Sequence, residues 1–215
     1  MTRPAPSKAP APPHPFLRLG QTAEFRIGAA APKQFIQGPL PQVAFAGRSN
    51  VGKSSLQNAL LGRNGLVRTS RTPGRTRELN FFEMPGAGWF VDLPGFGYAR
   101  GGITASAGFA DLVGKYLSQD SHPALVVYVL DAEVVDSEVD ATCLGRILEA
   151  GVPTLVLLNK ADRLDQSGRT RTPREFASRF PGAGAPLLVS ARTGTGLDAV
   201  RDRLLALFRP GEPAP

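Results

Sequence analysis

Eight residues, Gly47-Arg48-Ser49-Asn50-Val51-Gly52-Lys53-Ser54, fit the pattern G-x-x-x-x-G-K-[ST]. The chemistry this pattern serves is anion binding. Glycines let successive backbone N–H groups turn into one concavity. A helix starting at that point adds free donors and partial positive charge at its N-terminus. The Lys53 ammonium can reach outer phosphates, and the Ser54 hydroxyl is a hard oxygen suited to Mg²⁺. By itself the pattern says phosphate and leaves ATPases, kinases and GTPases open.

Three downstream stretches narrow it. Asp92-Leu93-Pro94-Gly95 supplies a carboxylate that would hold Mg²⁺ through water, and a glycine N–H for the terminal phosphate. Between these motifs runs a polar stretch with Thr69, Thr72 and Thr76, each a candidate second protein ligand to the metal. A loop held by the third phosphate and its Mg²⁺ orders with triphosphate and is released on hydrolysis. Spacing does not choose among the three threonines. Lys53 and Thr76 are the candidates for stabilising the transition state or positioning water, and no catalytic residue is assigned beyond them. Asn159-Lys160-Ala161-Asp162 reads the base. A carboxylate accepts from guanine N1–H and N2–H₂, whereas adenine leaves it unpaired, and a site built to pair polar groups rejects such an analogue strongly. Asn159 can reach back to the phosphate loop, the Lys160 stem can cover the base plane, and Ser190-Ala191 can offer backbone N–H to the guanine carbonyl.

These residues need a scaffold that gathers them. Apolar runs predict strands over 42–46, 80–84, 88–92, 124–130, 154–158 and 187–189. Helical spacing predicts helices over 53–61, 109–117, 138–150 (through Val139, Cys143 and Ile147), 175–180 and 197–208. Residues 163–174 read as a polar, arginine-rich loop, and 16–37 as a strand or short helix docking on the body. The expected fold class is α/β: a P-loop NTPase with a mostly parallel six-stranded sheet, one antiparallel edge strand, and helices on both faces. In such sheets ligands bind outside the carboxyl ends of the strands, where each motif falls. The expected domains are a disordered, proline-rich tail over 1–15, a single domain over 16–209 and a tail over 210–215.

The chain has 215 residues, 42% hydrophobic and 20% charged, enough for one folded body. One cysteine, Cys143, excludes an intramolecular disulfide and reads as a small core residue. No apolar run reaches the roughly 18 residues of a membrane span, and the start lacks a secretory h-region, so a cytoplasmic protein is expected. The net charge of +7 favours anionic partners, nucleic acid first. Arg63, Arg68, Arg71, Arg75 and Arg77 fall in the polar stretch after the phosphate loop, and Arg163, Arg169, Arg171 and Arg174 follow the base motif.

G-R-S-N-V-G-K-S-S-L, T-S-R-T-P-G-R-T-R, D-L-P-G-F-G-Y-A and N-K-A-D, in this order, resemble the EngB family of translation-factor-class GTPases. The resemblance covers about 16–208. It implies a Mg²⁺-dependent GTP-binding protein, GTP and GDP as ligands, a role in assembly of the large ribosomal subunit, and an association with septation in cell division. It also brings Gly74-Arg75-Thr76-Arg77-Glu78, Asp92 to Gly95 and Val189-Ser190-Ala191 into the nucleotide site, with Ser54 and Thr76 on Mg²⁺. Asn50 resembles the phosphate-loop Asn that helps hold K⁺ in related GTPases, which makes K⁺ a candidate second cation. The chain departs from the family at Glu133, where an Arg is common, and in its longer proline-rich leader. Many regulatory GTPases place Gln after D-x-x-G to orient the attacking water. Phe96 stands there, so slow intrinsic hydrolysis is expected.

The leading expectation is a monomeric GTP-controlled switch on the large ribosomal subunit, its rRNA and proteins. One alternative is a GTP-gated interaction module acting directly on division proteins. Another is a P-loop kinase, which would need an acceptor site and leaves N-K-x-D unexplained.

Overall fold

The computed structural model describes residues 12–67, 78–95, 107–118, 123–135 and 137–208. Gly74 to Arg77, Thr69, Thr72 and Phe96 lie outside the described residues, as do most of the 1–15 stretch and the 210–215 tail.

The parallel strands are built from runs apolar on both faces. β2 (Gln42–Gly47), β4 (Gly88–Asp92), β5 (Leu125–Asp131), β6 (Thr154–Asn159) and β7 (Leu187–Leu188) run the same way. With β1 (Glu24–Ala29) and β3 (Leu79–Met84) they form a seven-stranded sheet in the order β1-β3-β4-β2-β5-β6-β7. Two features differ from the expectation of six strands with an antiparallel edge. The seventh strand is β1, drawn from the unassigned 16–37 stretch. It pairs antiparallel with β3, and β3 with β4, so the reversed strand lies second from the edge. β1 escaped the apolar search because it is an edge strand: Glu24 and Arg26 interrupt it, and Arg26 bonds Glu83 of β3 at 2.6 Å. Charged edges of this kind discourage further strand pairing.

Period-two alternation splits the core. Val43, Phe45, Val127, Val129, Leu155 and Leu157 face one layer of helices: α1 (Pro15–Gln21), α2 (Lys53–Leu61) and α6 (Leu197–Phe208). Ala44, Ala46, Val126, Tyr128, Val156 and Leu158 face the other: α3 (Ala107–Leu117), α4 (Glu138–Glu149) and α5 (Gln166–Arg179). Each fully buried Leu, Val or Phe contributes about 1.5–3 kcal/mol, so the two faces hold the strand ends in a fixed register. Phe16 of α1 stacks between Phe90 and Phe208. Pro85 and Gly86 (φ 73°) turn β3 into β4, closed by Ala87 N–H to the Met84 carbonyl at 2.9 Å.

The stretch 163–174 is not a loop. After one 3-10 turn it is most of α5, which Asp165 caps by accepting from Gly168 N–H at 2.6 Å. Its buried stripe is Gly168, Thr172 and Phe176, spaced four apart but carrying one large apolar side chain, so the periodicity was hidden. No helix among the described residues is long and apolar enough to cross a membrane.

Candidate functional site

Four strand ends meet at one rim. Gly47 closes β2, Asp92 closes β4, Asp131 closes β5 and Asn159 closes β6. Register fixes their heights: Phe45 pairs with Asp92, Gly47 with Val129, and Asp131 with Asn159.

The loop from Gly47 to Gly52 leads into the N-terminus of α2. Gly52 is its N-cap at φ 90°, and its carbonyl accepts the Leu56 N–H at 2.8 Å. A Cβ on Gly52 would stand 2.5 Å from Asn159 Nδ2, so both φ and space require glycine there. Asn159 crosses from the base motif to the loop, donating from Nδ2 to the Val51 carbonyl at 2.8 Å. Its Oδ1 accepts the Ala191 N–H at 3.2 Å. That N–H, expected to face a guanine carbonyl, is therefore engaged inside the protein. Lys160, at φ 65°, donates from Nζ to the Asn50 carbonyl at 2.9 Å and to Asp131 Oδ2 at 2.5 Å. Asp131 thereby fixes the Lys160 stem, a function that its place at a strand end could have suggested.

Gly95 closes the other side. A Cβ there would meet Ser49 N at 2.9 Å and Ser49 Cα at 3.0 Å, so the D-x-x-G backbone lies directly on the phosphate loop. Lys53 and Asp92 are both buried. Lys53 Nζ and Gln57 Nε2 both donate to Asp92 Oδ1. Gln57 Oε1, beside them, is buried with no hydrogen-bond partner. The Asp92 carboxylate, the orphaned Gln57 amide oxygen and the half-buried Ser54 hydroxyl, one turn earlier on α2, are oxygens of the kind a hard divalent cation and its waters take. Sequence reasoning did not single out Gln57, whose spacing from Ser54 (i, i+3) carried the signal.

At the base motif, Asp162 follows β6 in a 3-10 turn and is half-buried. Oδ1 accepts the Ser190 hydroxyl at 2.5 Å, and Oδ2 accepts Arg192 Nε at 2.8 Å. Those bonds, Ser190 first and Arg192 second, hold the Asp162 carboxyl below its usual range. The Ala161 N–H bonds the Val189 carbonyl at 3.0 Å, which ties this turn to the residues after β7. Glu78 directly precedes β3, with its carboxylate against Gly28 of β1.

A second buried carboxylate underlies the loop. Asp140 of α4 is 1% exposed. It accepts the Tyr128 hydroxyl at 3.0 Å and Arg48 Nη1 at 3.4 Å. Burial raises its pKa, against the pull of Tyr128 and Arg48. Burial also pushes the Tyr128 hydroxyl up. The stripe on α4 is Asp140, Leu144 and Ile147, one residue round from the expected Val139, Cys143 and Ile147. Cys143 is consequently half-buried at the edge of the core, with its thiol pushed up to about 11 by burial first and Asp140 second. Glu133 forms an exposed pair with Arg163 at 2.9 Å.

Residues 42–160 match the family model of the 50S ribosome-binding GTPase. The chain is 40% identical over 179 residues to a probable GTP-binding protein EngB of Oleidesulfovibrio alaskensis, covering 83% of this chain and 82% of that one. It is 40% identical over 188 residues to a probable GTP-binding protein EngB of Syntrophus aciditrophicus, covering 87% and 94%. A crystal structure of a probable GTP-binding protein engB superposes with a TM-score of 0.65 at 24% identity, covering 78% of this chain and 98% of that one.

Proposed function

The chain belongs to the EngB family of GTP-binding proteins and is a GTPase, and from that premise we propose that it is a slow, Mg²⁺-dependent switch acting in assembly of the large ribosomal subunit and needed for normal septation. The observation that carries this reading is convergence on the phosphate loop: Gly95 lies on Ser49, and Asn159 bonds Val51. A change at the third phosphate is thus felt by residues of the metal motif and of the base motif together.

In this reading residues 16–209 form one GTP-binding domain between the tails 1–15 and 210–215, and the protein works as a cytoplasmic monomer. Gly47 to Ser54, Gly74 to Glu78, Asp92 to Gly95, Asn159 to Asp162 and Val189 to Ala191 contact the nucleotide. Asp162 reads guanine. Ser54 and Thr76 ligate Mg²⁺ directly, and Asp92 does so through water. When bound, the metal neutralises charge on the outer phosphates. Lys53 is poised to exchange its Asp92 contact for a phosphate oxygen, and Asn50 is the residue for K⁺. Phe96, where many relatives of this class orient water with Gln, makes hydrolysis slow without a partner or a monovalent cation.

The description of the matching family as ribosome-binding supports the large subunit as partner. Co-sedimentation with purified large subunits tests it. Retention with a non-hydrolysable GTP analogue and release with GDP is expected; equal retention in both removes the switch. Release in both leaves direct action on division proteins. Single-turnover hydrolysis in K⁺ and Na⁺ buffers tests the cation, because equal rates leave Asn50 without that role.

A further inference from the structure

The Asp162 carboxylate already holds a planar two-donor fork from this chain. Arg192 reaches back from the turn after β7 and places both Nε, at 2.8 Å, and Nη2, at 2.5 Å, on Asp162 Oδ2. Ser190 occupies Oδ1. The turn that aims Arg192 is tied down: Ser190 N–H bonds the Thr195 carbonyl at 2.9 Å, Gly194 N–H bonds the Ser190 carbonyl at 2.9 Å, and Thr193 N–H bonds Ser190 Oγ at 3.1 Å. The Arg192 side chain is itself 75% exposed, so nothing packs it into this position except the carboxylate.

A guanidinium edge and the Watson–Crick edge of guanine present the same thing to a carboxylate: two N–H donors on a rigid, delocalised plane. With Oδ1 partly used by Ser190, the two forks compete for the outer oxygen. We propose that Arg192 is an internal competitor for the base, which guanine has to displace from Asp162, and that it lowers affinity for guanine nucleotides. The proposal rests on Asp162 being the guanine-reading residue. The contact also keeps Asp162 paired whichever fork holds it, so the carboxylate is never left ionised and unpaired.

Apparent affinity falls by the fraction of time the competent site is free. An exposed ion pair of ordinary strength corresponds to about a two- to fivefold effect. The test uses the full chain with a fluorescent GDP analogue, at equilibrium and by stopped flow. Arg192→Ala is expected to tighten binding about two- to fivefold, mainly through faster association, with the gain shrinking as salt is raised. Arg192→Lys, which keeps the charge but loses the fork, should fall between it and the unmodified chain. Unchanged or weaker binding by Arg192→Ala overturns the proposal, since an arginine that orients Asp162 or stacks on the base gives that sign. Asp162→Asn separates the premise from the inference. Preference should move from guanine to xanthine nucleotides, and adding Arg192→Ala should then change nothing. Retained guanine preference in Asp162→Asn would sink the base-site reading whatever Arg192 does.

Discussion

Asp140 and Cys143 sit one helical step apart on α4, and each gives a prediction at the scale of single groups. Removing Asp140 as Ala leaves the buried Tyr128 hydroxyl without its acceptor and the partly exposed Arg48 guanidinium without its carboxylate. Leaving that buried hydroxyl without a partner costs about 1–3 kcal/mol. Asp140→Asn keeps an acceptor and should cost far less, which denaturant unfolding of both variants would read. The sign with pH follows from the raised pKa. A carboxyl raised on folding stabilises fully below its ordinary value near 3.8, and that contribution is lost as pH rises through the folded value. The difference in stability between Asp140→Asn and the unmodified chain should therefore move in the variant's favour as pH rises above about 4. A difference that is flat with pH would mean that folding leaves the Asp140 carboxyl at its ordinary value. For Cys143, a thiol at about 11 rather than 9.0 carries about a hundredfold less thiolate at pH 8. The more basic thiolate is also the better nucleophile, so reaction with a disulfide reagent should be slower by about tenfold in the folded chain than in denaturant.

The helices and strands differ in how much of themselves they display in the residue order. β5 and β6 are apolar on both faces and could be read directly, and so could the motifs that close β2, β4 and β6, because loops that touch ligands use residue types with few other reasons to occur together. β1 and α5 were hidden for opposite reasons. β1 is a charged edge, and α5 buries only Gly168, Thr172 and Phe176 while its outer faces are polar. The contacts between motifs were hidden as well: nothing in the spacing says that Gln57 turns toward Asp92, or that Arg192 returns to Asp162. α5 also contains Pro173 eight residues in, where proline lacks the N–H that would bond the Arg169 carbonyl and crowds that carbonyl. Pro173→Ala should stabilise the chain by about 1–2 kcal/mol, after allowing for the extra freedom of the unfolded chain. That is a rise of about 2–8 °C in melting temperature for a domain of this size. The opposite sign is expected where α1 meets α2. A Cβ on Gly20 would stand 2.6 Å from the Leu61 carbonyl oxygen and 2.7 Å from Leu61 Cα, both backbone atoms that cannot yield without moving a helix. Gly20→Ala should cost about 1–3 kcal/mol, measured the same way.

For the molecule as a whole, the surplus of +7 matters through where its arginines remain available. Arg63 is not available: it donates to the Gln21 and Ala23 carbonyls and fastens α2 to the segment after α1. Arg163 pairs with Glu133, Arg171 with Glu175 and Arg179 with Glu138. Arg169 and Arg174, both exposed on α5, have no acidic partner among the described residues. Arg174 lines an open groove with Ser167, Thr170, Arg171 and Ser178, whose donors alternate with the carboxylates of Glu133 and Glu175, paired to Arg163 and Arg171. This face follows directly from the base motif, so a phosphodiester backbone laid along it would lie close to the nucleotide-reading rim. Each lost phosphate contact lowers the slope of log affinity against log salt by a little under one. On the proposed large-subunit role, replacing Arg169 and Arg174 together by Gln should weaken binding to large ribosomal subunits in low salt and reduce that slope by about one to two. GDP affinity should stay unchanged, because both side chains are exposed on α5, outside the stretches assigned to the nucleotide. A slope equal to that of the unmodified chain would place the contact on another face, and the arginines after the phosphate loop would then be the next to substitute.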